Sequence, residues 1–434
     1  MNSVAPYPGP PFGRAVALHS LGWLVAANIV GVWLALSLLW PALGDLLAPL
    51  TYGRWAPLHL DWQLYGWCSL PVVGVLLTWC FDFGYPHVRR HAGIALTAWS
   101  LALALGGIAW LGGNTSGKLF LDWHGWTRPL LPAAMHVLWA LLATHTVWRW
   151  KRLSSAERTF RAVVLGVLLA APAVLYWSMD RKVYPSVNPD SGGATGAALL
   201  GSTLAIVTIF LLLPAFLGLP ALGTRTSRAP RLEAGQRPAL PGLVRRTGVT
   251  WALVASWGVF LAIDRGHASH HAPAQIVGLG TLGVWVVLLP VVWRRHDWPA
   301  GARPWLIASF AWWLVLVVTG WVVFLPGISE ALKFTHALVG HAHLAMAGLL
   351  TSVNGAVLVV LTGRRAPRTA FWAWQAGCLI HVAAMLVLGW HETTHVAGLF
   401  RSESWTQALM AVRLAGGMAM AAASIGWLAS LLRP

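Results

Sequence analysis

Twelve apolar segments, each close to the length that crosses a lipid bilayer, constrain this chain more than any other feature. A spanning α-helix needs about 20 consecutive apolar residues. Backbone groups find no water inside a bilayer, so segments of this length cross it as helices. The segments are 15–43, 59–81, 92–111, 130–148, 160–178, 192–217, 248–264, 273–293, 305–325, 337–361, 370–390 and 405–431. The sequence therefore predicts an all-α membrane protein with twelve transmembrane helices.

Composition agrees with a chain that lies almost wholly in a membrane. Hydrophobic residues make up 57% of the sequence and charged residues 10%, against about 25% charged residues in soluble domains. We expect one transmembrane domain over 1–434. The Pro-, Arg- and Gly-rich stretch 218–247 is expected to be a cytoplasmic loop within it, and the first apolar run a retained helix.

The basic residues predict the orientation of the helices. The net charge is +17, but Lys and Arg are scattered through short loops, so a nucleic-acid-binding surface is excluded. With the N-terminus inside, the inner loops hold 21 of the 30 Lys and Arg, the outer loops hold 8, and Arg413 falls in the last span. Inner loops normally carry this excess. We expect both termini to be cytoplasmic, with the protein in the inner membrane.

The three cysteines, Cys68, Cys80 and Cys378, all lie in apolar segments. None forms a CxxC or CxxCH motif, so a disulfide framework, a zinc knuckle and a covalently attached c-type haem are unsupported. Any c-type haem that works with this chain would belong to another subunit.

Histidines gather at one predicted depth, the outer third of the bundle. His59 opens the second span, His341 and His343 lie near the outer end of the tenth, and "DRGHASHHAP" (264–273) follows the seventh. His145 and His381, in contrast, are expected to be satisfied core residues. Imidazoles at membrane depth are costly without a partner and indicate a functional site.

Helical geometry separates the two histidines of the tenth span. Residues two apart on an α-helix point about 200° apart, so His341 and His343 cannot easily serve one centre. His59 and His343 are a possible axial pair, because imidazoles from two helices commonly hold a haem iron inside a bundle.

At these residues the sequence resembles subunit I of the haem-copper oxidase superfamily. "GRWAPLHLDW" (53–62) is similar to the second-span segment of the cbb3-type cytochrome c oxidase and nitric oxide reductase branch. "GHAHLAMAGLLTSVNGAVL" (340–358) is similar to its tenth-span motif. The resemblance implies a subunit I-like bundle with one or two haems b.

The resemblance also implies roles for individual residues. His59 and His343 would bind a low-spin haem b, and His341 a second, high-spin haem. His270 and His271 would bind a non-haem Cu or Fe. Propionates of the haems need cationic partners at the membrane edge, for which the candidates are Arg54, Arg181, Lys182 and Arg265.

The sequence departs from the family at the non-haem metal. Gly192 aligns where the family has a third metal-binding histidine, and no histidine occurs between His145 and His267. The stretches 188–217 and 250–264 also lack tyrosine and glutamate. His267, one turn before His270, could supply a third ligand. Otherwise the metal site is degenerate.

Three functions remain open at this point, and no catalytic residue can be named. The first is a catalytic subunit that passes electrons from a c-type cytochrome to oxygen or nitric oxide. The second is a non-catalytic haem-binding relative that relays electrons between partner subunits or to a quinone. The third is a transporter with a histidine relay and no haem. The first two imply a hetero-oligomeric complex in the membrane lipids, with c-type cytochrome or other haem-bearing subunits.

Overall fold

The computed structural model describes residues 9–180, 182–183, 196–222, 247–263, 272–332, 335–394 and 402–433. These residues form helices and connecting turns, with one isolated bridge between Ala221 and His296. We number the long apolar helices α1 to α12 in chain order. They are α1 (Gly13–Leu39), α2 (Tyr52–Cys80), α3 (Val88–Leu111), α4 (Leu130–Arg149), α5 (Ser155–Ser178), α6 (Gly196–Phe216), α7 (Thr247–Ala262), α8 (Pro273–Trp293), α9 (Arg303–Val322), α10 (His336–Thr362), α11 (Arg368–Glu392) and α12 (Ser404–Leu432).

The chain is a multi-pass membrane protein. Within the described ranges, eleven helical segments are long and apolar enough to cross a membrane. Helix α7 is apolar but shorter, and the residues that follow it, 264–271, lie outside the described part. The count of twelve spans, the single domain, the loop at 218–247 and the cytoplasmic termini therefore stay predictions.

Helix α2 begins earlier than the sequence predicts. Its first helical residue is Tyr52 rather than His59, so His59 lies two turns inside the helix instead of opening it. The apolar pattern misses these turns because Tyr52, Arg54 and Trp55 are residues typical of the membrane interface, where a helix continues beyond its apolar core.

Helices α1, α2, α10, α11 and α12 pack together and form the half of the bundle that holds the candidate site. Helix α12 packs along both α1 and α11, and α11 packs along α10. Glycines let α11 and α12 approach closely: a Cβ on Gly377 would lie 2.7 Å from the carbonyl oxygen of Gly416. Small residues at such crossings are typical of membrane helices.

Both α2 and α10 widen into a π-helical segment. The segments are Trp62–Cys68 and Leu344–Leu350, and each follows closely after a histidine named above. A π-helix uses i→i+5 bonds and is rare outside functional sites. Side chains bond several of its carbonyls, as when Ser69 Oγ donates to Leu64 O at 2.8 Å and Thr351 Oγ1 to Met346 O at 2.9 Å.

Two buried hydrogen bonds join the π-helical segment of α2 to the part of α10 that follows Leu350. Trp67 Nε1 donates to Thr351 Oγ1 at 2.8 Å, and Asn354 Nδ2 donates to Trp67 O at 2.9 Å. Asn354 is buried, so water does not replace it as a donor. These bonds fix the spacing of the two helices just beyond His59 and His343.

We expect Asn354→Leu to destabilise the protein by about 1–2 kcal/mol, because the carbonyl of Trp67 then loses its donor inside the bundle. Thermal unfolding of the purified protein in detergent measures this as a lower midpoint. Ser37→Ala is the control: Ser37 Oγ bonds only Trp33 O of its own helix, and we expect a change within about 0.5 kcal/mol. Equal stability of both variants would contradict a role for Asn354 in joining the helices.

Candidate functional site

His59 is held on α2 by the backbone of α1. Its Nδ1 lies 2.9 Å from Ala27 O. A carbonyl oxygen only accepts, so Nδ1 carries the proton and Nε2 keeps its lone pair. Gly31 of α1 makes room for the ring, since a Cβ there would lie 2.6 Å from His59 Cε1. The ring is therefore fixed in place, in the tautomer that can bind a metal.

His343 is held in the same way on α10. Its Nδ1 lies 2.8 Å from Val339 O, one turn earlier on the helix. The rings of His59 and His343 have centroids 6.2 Å apart and planes 25° from parallel. Both Nε2 atoms are thus free to act as ligands, and neither imidazole bonds the other.

A cavity opens beside the two rings, between α1, α2, α10, α11 and α12. Its empty volume, mouth included, is about 1340 Å³. Apolar side chains form most of the wall, and among its few polar members Gln63 Nε2 donates to Asn28 Oδ1 at 2.7 Å. Large apolar cavities with a few placed polar groups are typical of cofactor sites.

The pair of imidazoles has the spacing that a haem iron requires. Two imidazoles that each bind a shared metal at about 2 Å through Nε2 have ring centroids about 6 Å apart. The observed 6.2 Å, the two free Nε2 atoms and the apolar cavity together fit a haem with two axial histidines.

His341 lies on the opposite side of α10. Its Nδ1 is 3.2 Å from Thr319 Oγ1 of α9. Gly320 of α9 lies against the His341 ring, since a Cβ on this glycine would be 3.1 Å from His341 Cε1. The structure thus places His341 and His343 against different neighbours, α9 for the first and α2 and α11 for the second. Helix α10 separates the two imidazoles.

The structure adds a third imidazole to the cavity, that of His381 on α11. Its Nδ1 lies 2.8 Å from Arg413 O, and its ring centroid is 4.9 Å from that of His343. Its Nε2 is buried without a hydrogen-bond partner among the described residues. The expectation that His145 and His381 are satisfied core residues is therefore wrong for one ring nitrogen of each, Nδ1 of His145 and Nε2 of His381.

Arg413 of α12 also lines the cavity. Sequence reasoning placed it in the last span but gave it no role. A lone arginine within a spanning segment was the available signal, since charges at membrane depth mark functional sites. Its contribution to the cavity depends on how α12 packs on α11, which a single helix pattern does not show.

Of the four cations predicted near haem propionates, the two in the described part of the chain, Arg54 and Lys182, do not line this cavity. Arg54 Nη1 donates to Leu111 O at 3.0 Å and does not line the wall. Lys182 is exposed, and its backbone N–H bonds Asp180 Oδ1 at 2.9 Å. That bond and Arg128, 3.1 Å away, lower the pKa of the Asp180 carboxyl. Arg181 and Arg265 lie outside the described residues.

The predicted non-haem metal ligands, His267, His270 and His271, lie outside the described residues as well. Gly192, which aligns with the family's third ligand, does too. Across the ranges that are described, no group of three or more His, Cys, Asp or Glu side chains could hold a metal ion. The non-haem metal site stays a prediction.

The chain is similar in sequence to a subunit of a known oxidase. The cbb3-type cytochrome c oxidase subunit CcoN1 of Stutzerimonas stutzeri is 22% identical over 432 aligned positions, covering 87% of this chain and 82% of that protein. Along most of its length the chain is similar to a subunit of a cbb3-type cytochrome c oxidase. The motifs around His59 and His341 agree with this relationship.

No family model matches the chain. The structural alignment with a solved haem-copper terminal oxidase dimer covers 97% of this chain and 83% of the oxidase chain, with 13% sequence identity and a TM-score of 0.49.

Proposed function

We propose that this oxidase-like membrane subunit binds haem b and carries electrons in a respiratory complex. His59 and His343 would hold the iron from its two sides. The observation that carries the proposal is the pair itself: two imidazoles 6.2 Å apart between centroids, each fixed through Nδ1, beside a large apolar cavity.

The protein's own contribution is to fix the ligands and exclude water. Carbonyls of Ala27 and Val339 bond the Nδ1 protons, which orients each ring and raises its basicity toward a metal. When bound, the haem supplies one-electron transfer. Held by Nε2 of both His59 and His343, the haem would supply electron transfer rather than gas binding.

The cavity wall supports the same role. Its apolar side chains keep the dielectric low around the centre, and the carbonyls of Ala27 and Val339 hold the two rings in place. A centre held rigidly by packed helices changes little in geometry when its charge changes, which favours rapid electron transfer.

A second haem on His341 would lie across α10 from the first. In the catalytic version of the proposal, His270, His271 and His267 would hold a Cu or Fe, and the two groups together would supply the reduction of oxygen or nitric oxide, as in a cbb3-type oxidase. The alternative is a non-catalytic relative that relays electrons to partner subunits or quinone. The sequence favours the alternative in one respect: no histidine between His145 and His267 is available as the family's third ligand.

Partners follow from the same proposal. The curated relative is described as a subunit of an oxidase, and this chain has no CxxCH motif of its own. We propose that a c-type cytochrome or another haem-bearing subunit delivers electrons in a hetero-oligomeric complex of the inner membrane.

We expect the purified protein to show a reduced-minus-oxidised spectrum of b type. His59→Ala should abolish the low-spin part of that spectrum because the iron loses one axial ligand. His136→Ala is the matched control, since His136 also bonds a carbonyl through Nδ1, Pro132 O at 2.9 Å, and does not line the cavity. A wild-type protein without haem absorption, or a His59→Ala variant with an unchanged spectrum, would refute the axial pair.

Gly31→Ala should weaken haem binding by about tenfold, the range seen when the support of a metal ligand is disturbed. The added methyl group would overlap the ring of His59 and push it from its position. Haem per polypeptide, measured after washing with a haem scavenger, gives the result. Gly22→Ala on the same helix meets nothing within 4 Å and should retain haem fully; equal retention by both variants would argue against the fit at Gly31.

Carbon monoxide distinguishes the catalytic version from the alternative. A second haem on His341 with an open axial position should give a carbon monoxide shift of the reduced spectrum, and His341→Ala should remove that shift while the His59–His343 signal remains. Metal analysis should then find one Cu or Fe per chain. A b-type spectrum with no shift and no bound Cu or Fe would support the non-catalytic relay.

A further inference from the structure

Arg413 places a positive charge inside the helical bundle, beside the candidate haem site. It lies nine residues into α12 and lines the same cavity as His59, His343 and His381. Its backbone is fixed as well, because its carbonyl accepts the Nδ1 proton of His381 at 2.8 Å.

No anion neutralises this charge within the described part of the chain. Arg413 Nε is buried without a hydrogen-bond partner, and Nη1 contacts only Met410 Sδ at 3.9 Å. None of the ion pairs among the described residues includes it. A cation left unpaired at membrane depth is costly and marks a function.

We propose that Arg413 raises the reduction potential of the haem held by His59 and His343. This inference rests on the proposed function. Reduction adds one electron to the iron, lowers the net charge of the haem by one, and forms or breaks no bond. A fixed positive charge nearby repels the more positive oxidised centre and so favours the reduced one.

The expected size of the effect follows from Coulomb's law. Unit charges several ångströms apart in a medium of effective dielectric about 20 change an equilibrium by about tenfold or more. For a one-electron couple, a tenfold change corresponds to about 59 mV. The apolar wall of the cavity screens the interaction between Arg413 and the iron only weakly, and no carboxylate among the described residues pairs with Arg413.

The test is a potentiometric titration of the b-type absorption in full-length protein. Arg413→Met should lower the midpoint potential by about 59 mV or more, and Arg413→Lys, which keeps the charge, should restore most of it. Arg161→Met is the matched control: Arg161 is buried and likewise has an unpaired nitrogen, but it bonds Trp79 O, near the opposite end of α2 from His59. Its midpoint should match that of the wild type.

The results separate this inference from the proposed function. If the wild type shows no b-type absorption, the proposed function fails. If wild type and Arg413→Met both show the two-histidine spectrum with the same midpoint, only the role of Arg413 is wrong. Should Arg413→Met lose haem, Arg413→Gln provides the neutral variant; loss of haem in both, with retention in Arg413→Lys, would overturn redox tuning in favour of haem binding.

Discussion

Backbone carbonyls that hold the imidazoles by Nδ1 are the interaction on which the rest of the site depends. Ala27, Val339 and Arg413 each provide one, to His59, His343 and His381. Inside a membrane these bonds do two things at once. They satisfy a polar group that water cannot reach, and they leave Nε2 as the only nitrogen able to bind a metal.

The same dependence explains why helix packing matters as much as the histidines. His59 and His381 are held by carbonyls of other helices, α1 and α12, so their orientation exists only when the bundle is assembled. Gly31 and the Gly377–Gly416 crossing permit the close approach that those bonds need. Residues without any chemistry of their own thereby determine the geometry of the ligands.

Much of the fold could be predicted from the sequence, because the length and apolar composition of a segment identify it as a membrane helix. Eleven of the twelve predicted segments correspond to helices long enough to span a membrane. The remaining segment, the seventh, corresponds to the shorter helix α7. The separation of His341 from His343 followed from helical geometry, and the ring of His59 lies 6.2 Å from that of His343 between centroids, while their joint binding of a haem stays a prediction. His381 and Arg413 did not follow from helical geometry, because their meeting depends on how α11 and α12 face the cavity.

The π-helical segments have a consequence for how this sequence can vary. Each hydrogen-bonded turn of a π-helical segment contains one residue more than a turn of an α-helix. The side chains after Leu350 are therefore rotated about the helix axis, compared with an α-helix that continued regularly from His343. Asn354, which donates to Trp67 O, lies on this rotated part of α10. A helical wheel that assumes 3.6 residues per turn along all of α10 therefore assigns its second half to the wrong neighbours. Removing one residue from Leu344–Leu350 would turn Asn354 away from Trp67.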